Sequence, residues 1–281
     1  MNGKVYLVGA GPGDPELLTV KALRLLRSAD VVLHDDLVPR EILNLIPPTA
    51  QARNVGKRCG SKTMRQEEIN FLMVTLAGSG LQVVRLKSGD PLIFGRAGEE
   101  IEALRRSTIE YEIVPGVTSA LGAAASLGIP LTHRKMSSTL VLTAGHRAPG
   151  NDDEDWSHFA SDEATLVVYM PGDRYGEISS RLKAAGFPGE TPCAIISRAT
   201  TPEQRIHSTS VSDLHRAPRL ASPTLLVVGE VVRFAAHDLF DRGFVEATAT
   251  FPELEPGLAT ALARRVLLPP EILRADEEHL S

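Results

Sequence analysis

A glycine-rich segment from Gly9 to Pro15 follows the first strand-like run of the chain and leads into a stretch of helical period. Its glycines let the backbone turn tightly and allow a ligand to approach without meeting a Cβ atom. Asp14 replaces the third glycine of a dinucleotide fingerprint, and no GK[ST] phosphate loop follows. Since a carboxylate there would repel a pyrophosphate, the loop favours a small ligand without phosphates. A plain strand-to-helix turn is equally compatible with this segment alone.

Four further polar segments that contain glycine fall where strands are expected to end. They are Val55 to Gly60, Leu86 to Pro91, Val114 to Ser119 and Tyr169 to Gly172. Ligands of open parallel sheets collect outside the carboxyl ends of the strands. These segments are therefore expected to converge on one crevice, although they are distant in sequence.

Two stretches of the chain carry positive charge without any acidic residue. Residues 53–65 contain five basic side chains, and residues 113–151 contain Arg134, Lys135 and Arg147 before the acidic run that follows. The whole chain has a net charge of −5, which argues against a general nucleic-acid binder. Local positive tracts in an acidic protein favour a polyanionic small molecule, although a solvated surface is the alternative.

Short apolar runs alternate with segments of helical period, as in an α/β protein with largely parallel strands. Helices are predicted at 15–28, 66–77, 174–186 and 231–240, with a short, tightly packed one inside 115–131, and Thr63 is a possible cap of the second. The predicted strands are 4–8, 31–34, 51–55, 81–87, 109–114, 138–144, 164–170, 192–197, 203–208 and 223–228.

The length of 281 residues, 43% of them hydrophobic, is enough for two cores at roughly 150 residues per domain. The predicted boundaries give an N-terminal α/β domain at 1–118, a C-terminal α/β domain at 119–245 and an extension of unknown role at 246–281. No apolar run approaches the roughly 18 residues of a membrane span, and the first strand begins too early for a signal peptide. We therefore expect a cytoplasmic protein with no membrane or nucleic-acid partner.

Eight motifs, in chain order, closely resemble the tetrapyrrole methylase family. They are VYLVGAGPGDPELLT, DDLV, VGKRCG followed by QEEIN, VVRLKSGDPLIFGRAGEE, VPGVTSA, GIPLTHR, TPEQR and SPTLLVVGEVV, and they span roughly residues 3 to 240. The resemblance implies a homodimer of two-domain α/β chains. In each chain the N-terminal sheet is mostly parallel, the C-terminal sheet is mixed, and the active-site cleft lies between the domains. It also implies S-adenosylmethionine as methyl donor and methylation of uroporphyrinogen III at C2 and C7, giving precorrin-2 and S-adenosylhomocysteine.

The resemblance also implies roles for individual residues. The positions that match the family's donor contacts are Pro12, Ser88, Gly89, Asp90, Ile93, Thr118, Ser119, Met170 and Ala199. Asp35 and Lys57 match the family's proposed acid and base. Arg96, Glu99 and Arg134 match positions around the macrocycle, and we add Arg58 as a substrate-binding residue.

Chemical reasoning refines two of these roles and leaves alternatives for two others. Arg96 is an unusual base because its guanidinium stays protonated, so we expect Arg96 to bind a substrate carboxylate and Glu99 to orient it. Asp35 could instead be a helix N-cap, and Lys57 could be one more carboxylate anchor. Asp36 stands where the family usually has arginine, which should weaken local attraction for substrate carboxylates.

Two other functions remain compatible with these motifs. One is a C-methyltransferase of the same fold that acts on a later precorrin, and the other is a tetrapyrrole-binding or nucleoside-binding regulator without turnover. The eight histidines are scattered and the two cysteines, Cys59 and Cys193, are far apart, so no metal site and no disulfide is expected.

Overall fold

Two five-stranded sheets form the framework of the protein in the computed structural model, which describes residues 3–56, 64–145, 156–159 and 163–235. Residues Met1–Val245 form one compact unit. All strands of the first sheet precede all strands of the second along the chain. The predicted division at 118/119 stays a prediction, and the extension at 246–281 lies outside the described residues.

The first sheet is entirely parallel, with strand order β3-β2-β4-β1-β5. Its strands are β1 (Lys4–Gly9), β2 (Val31–His34), β3 (Gln51–Asn54), β4 (Gln82–Lys87) and β5 (Glu110–Val114). Its helices are α1 (Val20–Ser28), α2 (Arg40–Leu43), α3 (Gln66–Gly78) and α4 (Ala97–Arg106). The central strands β1, β2 and β4 are buried on both faces, which explains their nearly continuous apolar runs.

The second sheet is mixed, with strand order β6-β7-β10-β8-β9. Its strands are β6 (Thr139–Ala144), β7 (Ala164–Tyr169), β8 (Pro192–Ser197), β9 (Arg205–Ser210) and β10 (Thr224–Val228). Strands β6 and β7 are parallel, whereas the pairs that involve β8, β9 and β10 are antiparallel. Helices α5 (Ser119–Leu127) and α6 (Tyr175–Ala184) pack on opposite faces of this sheet. The predicted combination of a parallel and a mixed sheet is confirmed.

The predicted helix 66–77 is confirmed as α3, while its proposed cap and two other predicted segments differ from the structure. The segment 15–28 contains a 3-10 helix at Pro15–Leu17 and then α1, because the Thr19 side chain accepts a hydrogen bond from Ala22 N (3.1 Å) and starts a new helix. Helix α3 begins after Arg65, whose backbone N–H donates to Glu68 (2.6 Å), so Thr63 is not its cap; Thr63 itself lies outside the described residues. A 3-10 helix at Glu230–Phe234 stands at the start of the predicted helix 231–240. Residues 236–240 of that last segment lie outside the described residues.

Candidate active site

A cavity of about 420 Å³ opens among the loops that follow the strands of both sheets. All nine positions that match the family's donor contacts line it: Pro12, Ser88, Gly89, Asp90, Ile93, Thr118, Ser119, Met170 and Ala199. These positions come from five separate segments of the chain. Four of the five glycine-containing segments therefore meet at this cavity, while the ligand of each residue stays a prediction. In the fifth, Val55 and Gly56 do not line it, and residues 57–60 lie outside the described residues.

Backbone contacts hold three of these loops together at the floor of the site. Gly11 N donates to Gly89 O (3.2 Å), and Gly89 N donates to Gly11 O (2.8 Å). Gly116 packs so closely that a Cβ there would lie 2.3 Å from Gly89 O and 2.8 Å from the Cα of Gly9. Glycine is required at this position because both neighbours are backbone atoms that cannot move aside.

The glycine loop also contacts the loop that precedes β9. Asp14 N donates to the Thr200 hydroxyl (3.1 Å), and the Asp14 side chain accepts a hydrogen bond from Glu16 N (2.8 Å). A Cβ on Gly122 of α5 would lie 2.6 Å from the Pro12 ring. The first loop of the chain is thus packed against α5 and against the β8–β9 connection, so the cavity wall is continuous.

Asp90 stabilises the cavity loops with both carboxylate oxygens. Its Oδ1 accepts from Leu92 N (2.8 Å) and its Oδ2 accepts from Gly116 N (3.0 Å). The side chain thereby closes its own turn and fixes the start of the segment that leads to Thr118. An amide or an alanine could not satisfy both backbone donors.

Tyr169 begins one of the segments expected at the crevice and lines the cavity, but the sequence assigned it no role. Its hydroxyl lies 2.6 Å from the Thr118 hydroxyl and accepts from Ala120 N (3.1 Å), and its ring centroid lies 4.9 Å from that of Phe94. Burial raises the pKa of Tyr169 above its usual value, although the hydrogen bonds with Thr118 and Ala120 oppose this. A tyrosine at the end of an otherwise aliphatic strand, directly before Met170, was the signal that could have identified it.

Strained backbone is concentrated around the cavity. Among the described residues, six non-glycine residues have a positive φ. Phe94, Met170 and Arg198 line the cavity, while Arg96 and Thr200 lie within two residues of lining positions. Such conformations cost roughly 1–3 kcal/mol each and persist where the surroundings fix them, which is common at functional sites.

Asp35 lies at the carboxyl end of β2, directly before the lining segment 36–39, and does not itself line the cavity. Its Oδ1 accepts a short hydrogen bond from Nη2 of Arg85, and its side chain is 28% exposed. The N-cap interpretation of Asp35 is wrong, since α2 begins at Arg40 and its N-cap position is Pro39. The carboxylate is held by a tertiary ion pair.

Arg96 and Glu99 form a bidentate ion pair at the start of α4. Arg96 Nε donates to Glu99 Oε1 (2.8 Å) and Arg96 Nη2 donates to Glu99 Oε2 (2.7 Å), with both side chains about half exposed. The hydrogen bond to Glu99 raises the pKa of Arg96, so the guanidinium stays charged. This geometry fits the expected pair of an orienting carboxylate and an arginine that binds an anion. Neither residue lines the cavity.

A buried ion network lies below the carboxyl edge of the first sheet, and sequence reasoning missed it. Oε1 of Glu100 accepts from Arg85 Nε (2.9 Å), Lys87 Nζ (2.9 Å) and Gln66 Nε2 (3.3 Å). We call these four side chains, together with Asp35, the β4 ion network. Burial, and next the charge of Arg85, lowers the pKa of Lys87. Burial would also lower the pKa of Arg85, but Asp35 and Glu100 raise it above its usual value.

Of the three remaining predicted site residues, the structure describes only Arg134. Arg134 lies in an exposed turn between His133 and Ser137, which form a small bridge. Lys57 and Arg58 lie outside the described residues. Within the part of the chain that the structure describes, no group of three or more His, Cys, Asp or Glu side chains could hold a metal ion. No helix in that part is both long and apolar enough to span a membrane.

The charges that line the cavity are mainly negative. Asp36, Asp90 and Glu203 contribute carboxylates, and Arg198 contributes one guanidinium. Asp36 accepts from the Asn54 amide (2.9 Å), so it does not share the Arg85 partner of Asp35. A cavity of this charge favours a cation over a polyanion. Of the arginines predicted to bind substrate, Arg96 and Arg134 lie elsewhere, at the N-cap of α4 and in the 133–137 turn.

The chain is similar to proteins that methylate tetrapyrroles. A model of tetrapyrrole (corrin/porphyrin) methylases matches residues 4–215. A siroheme synthase of Yersinia enterocolitica is 48% identical over 82% of this chain, which spans about half the length of that relative (49%). A uroporphyrin-III C-methyltransferase of Thermus thermophilus is 43% identical, with a TM-score of 0.72 over 86% of this chain and 98% of that one. A structure of the Thermus enzyme with S-adenosylhomocysteine is 42% identical, with a TM-score of 0.72 over 82% of this chain and 99% of that one.

The family match covers most of the residues that build both sheets and the cavity between their loops. The chain therefore belongs to the tetrapyrrole (corrin/porphyrin) methylases.

Proposed function

We propose that this protein transfers methyl groups from S-adenosylmethionine to C2 and C7 of uroporphyrinogen III, giving precorrin-2 and S-adenosylhomocysteine. The observation that carries the proposal is the convergence of the nine family-matching positions on one cavity. The similarity to the Thermus methyltransferase along nearly all of that enzyme's length supports the same substrate class.

The cavity fits the methyl donor in size and in charge. A volume of about 420 Å³ lies in the range of small-molecule sites, roughly 300–1,000 Å³. The donor carries its methyl group on a positively charged sulfur, which makes that group electrophilic when the donor is bound. Asp36, Asp90 and Glu203 provide negative charge, and Gly89 lines the cavity without a side chain.

The side chains of the cavity contribute mainly by positioning. Asp90 fixes the loop to Gly116, and Tyr169 fixes Thr118, so the Thr118–Ser119 pair has one arrangement before any ligand binds. Reaction partners held at near-attack distance gain up to roughly 7–11 kcal/mol relative to free encounter. An electron-rich pyrrole carbon needs little further activation.

The macrocycle is anionic, and the basic side chains outside the cavity are suited to its carboxylates. Arg96 is oriented by Glu99 and keeps its charge, so it can bind one carboxylate of the substrate in a fixed direction. Arg134 and Arg58 would bind others. The negative lining of the cavity keeps the substrate carboxylates away from the donor position.

Asp35 is the proposed acceptor of the proton that leaves the substrate. Its Oδ1 accepts from Arg85, while Oδ2 has no hydrogen-bond partner among the described residues and can take a proton. Lys57 is proposed as the acid. We expect Asp35→Asn to lower kcat, whereas Lys57→Ala raises KM for the macrocycle if it only anchors a carboxylate.

The proposal includes two statements about the whole protein. By family resemblance we propose a homodimer in the cytoplasm. The solution mass of the purified chain, measured by light scattering, tests the dimer.

An anaerobic assay with uroporphyrinogen III and S-adenosylmethionine, followed by mass spectrometry of the product, tests the proposed function. Two added methyl groups are expected. Activity on a later precorrin, but not on uroporphyrinogen III, would indicate the other C-methyltransferase. Binding of the tetrapyrrole without any methyl transfer would indicate a regulator.

A further inference from the structure

The β4 ion network connects three fully buried charged side chains to the proposed proton acceptor. Arg85 and Lys87 have side chains 3% exposed, and that of Glu100 is 0% exposed. Asp35, at 28%, is the most exposed member of the network. The network therefore extends from the interior of the first sheet to the edge at which the cleft opens.

Stability is a poor explanation for this network. Burying ions costs free energy that their attraction often fails to recover, so apolar residues of similar volume are commonly as stable or more stable. Three donors share one oxygen of Glu100, while its Oε2 is buried without a hydrogen-bond partner. An arrangement with an unsatisfied buried oxygen is not optimised for stability.

The geometry of Arg85 explains what the network achieves. Its Nε donates to Glu100 (2.9 Å), its Nη1 donates to the carbonyl oxygens of Leu33 and Leu86 (3.3 Å each), and its Nη2 donates to Asp35. The guanidinium is thus fixed by the backbones of β2 and β4 and by a helix residue. A planar group held on three sides places its fourth contact in one direction.

We propose that Arg85 and Glu100 are positioning residues for methyl transfer: Glu100 orients the guanidinium of Arg85, and Arg85 orients the Asp35 carboxylate toward the substrate. This rests on the proposed function, in which Asp35 accepts the proton. Neither Arg85 nor Glu100 lines the donor cavity, so both act through Asp35.

Lys87 provides a matched control within the same network. It is as buried as Arg85, and it contacts the same oxygen of Glu100 at the same distance, 2.9 Å. Its amino group makes no hydrogen bond with Asp35 in the described contacts. A general loss of buried charge would affect both positions, whereas a positioning role distinguishes them.

A double-mutant cycle tests the proposal, with kcat, KM for both substrates and the dissociation constant of S-adenosylhomocysteine measured for each variant. Arg85→Lys keeps the charge but cannot keep all four contacts. We expect it to lower kcat by about 10- to 100-fold, the effect of a small misplacement, with donor KM and S-adenosylhomocysteine affinity unchanged. In an Asp35→Asn background the same change should have no further effect.

Lys87→Met should behave differently. Its effect on kcat should be independent of Asp35, so the double variant with Asp35→Asn should show the product of the two single effects. If Arg85→Lys does not fold, Glu100→Gln replaces it, since the amide keeps the shape and one acceptor oxygen; it too should lower kcat and be non-additive with Asp35→Asn.

Two results would overturn the proposal while the proposed function stands. One is a double variant whose kcat falls by the product of the Arg85→Lys and Asp35→Asn effects, while the wild type methylates uroporphyrinogen III. The other is an Arg85→Lys variant that changes donor affinity at normal kcat. A wild-type protein that transfers no methyl group overturns the proposed function and this inference together.

Discussion

The two sheets bury different kinds of polar side chain beneath one cavity. The buried charged residues of the described chain, Arg85, Lys87 and Glu100, all belong to the first sheet and its helix α4. The buried polar side chains around the second sheet are uncharged hydroxyls, such as Ser137, which is hydrogen-bonded to Thr165 at 2.7 Å. The first sheet therefore buries charge beneath the cavity, whereas the second sheet buries neutral hydroxyls and contributes charge only from its exposed loop, at Arg198 and Glu203.

The largest effect is expected where the first sheet loses its buried anion. Glu100→Ala leaves Arg85 and Lys87 as buried cations without their shared partner, and should lower the free energy of unfolding by about 3–5 kcal/mol in urea titrations. Glu230→Ala is the control, since its ion pair with Arg233 (2.7 Å) is exposed and should contribute at most about 1 kcal/mol. If both variants lowered the free energy of unfolding equally, the proposed contrast between buried charge in the first sheet and exposed charge after the second would be contradicted.

A core truncation in the second sheet should reduce stability without reducing the chemistry. Leu166 of β7 is fully buried, so Leu166→Ala should cost about 2–5 kcal/mol in the same titrations. The kcat of the folded fraction should stay normal, because the second sheet holds no buried charge near Asp35. A kcat that falls at unchanged S-adenosylhomocysteine affinity would contradict the division of roles.

A smaller effect is expected at Tyr169, which lines the cavity at the end of β7. Tyr169→Phe removes the hydrogen bonds to Thr118 and Ala120 and should raise KM for S-adenosylmethionine about five-fold, equivalent to about 1 kcal/mol. Tyr111→Phe is a matched control, because its hydroxyl also accepts a hydrogen bond, from Arg105 (2.8 Å), but lies away from the cavity. A Tyr169→Phe variant with normal donor KM and lowered kcat would assign Tyr169 to the chemistry instead.

Alkaline pH should affect the two sheets in opposite directions. Burial and the charge of Arg85 lower the pKa of Lys87 in the folded chain below 10.5. Between the folded and the unfolded pKa the unfolded chain binds more protons, so the free energy of unfolding should rise with pH. Burial raises the pKa of Cys193 from 9.0 to about 12, so the folded chain binds more protons and stability should fall above pH 9.

Unfolding titrations of the wild type against Lys87→Met and Cys193→Ala, at pH 8 and pH 10, measure both contributions. The Cys193 contribution should decrease by roughly 1 kcal/mol by pH 10. The expectation would be contradicted if both buried groups changed the free energy of unfolding in the same direction between pH 8 and pH 10. The direction would then not depend on whether the buried group is a cation or a thiol.

The strands could be predicted from the sequence to within about two residues, because most are short apolar runs bounded by glycine, proline or polar residues. The strand predicted at 203–208 is shifted to Arg205–Ser210, since Gln204 accepts a hydrogen bond from Thr200 N (2.7 Å) and closes a loop first. Helix α4 was not predicted, because five of its ten residues are charged and its buried face is narrow.

The candidate site was predictable where it consists of contiguous motifs and not where it depends on strand order. Seven of the nine positions proposed to bind the donor fall within such motifs. Ala199 lies two residues before TPEQR, and Met170 lies in the glycine-containing segment Tyr169 to Gly172. The β4 ion network joins Arg85 to Asp35, 50 residues earlier, and this contact exists only because β2 lies beside β4. Buried cations in an apolar strand pattern carry no indication of their partners. The contact of Tyr169 with Thr118 was not predictable for the same reason, since the two lie 51 residues apart.

The wide sequence separation of the cavity walls has a consequence for how the protein folds. Pro12 and Leu225 line the same cavity, and β1 pairs with β4 and β5, which lie far along the chain. Closing such long loops before their contacts form is slow, so assembly of the ligand site should lag behind helix formation during renaturation. Donor-analogue fluorescence should therefore recover later than far-ultraviolet circular dichroism, and the interval between the two signals would time the last step of assembly.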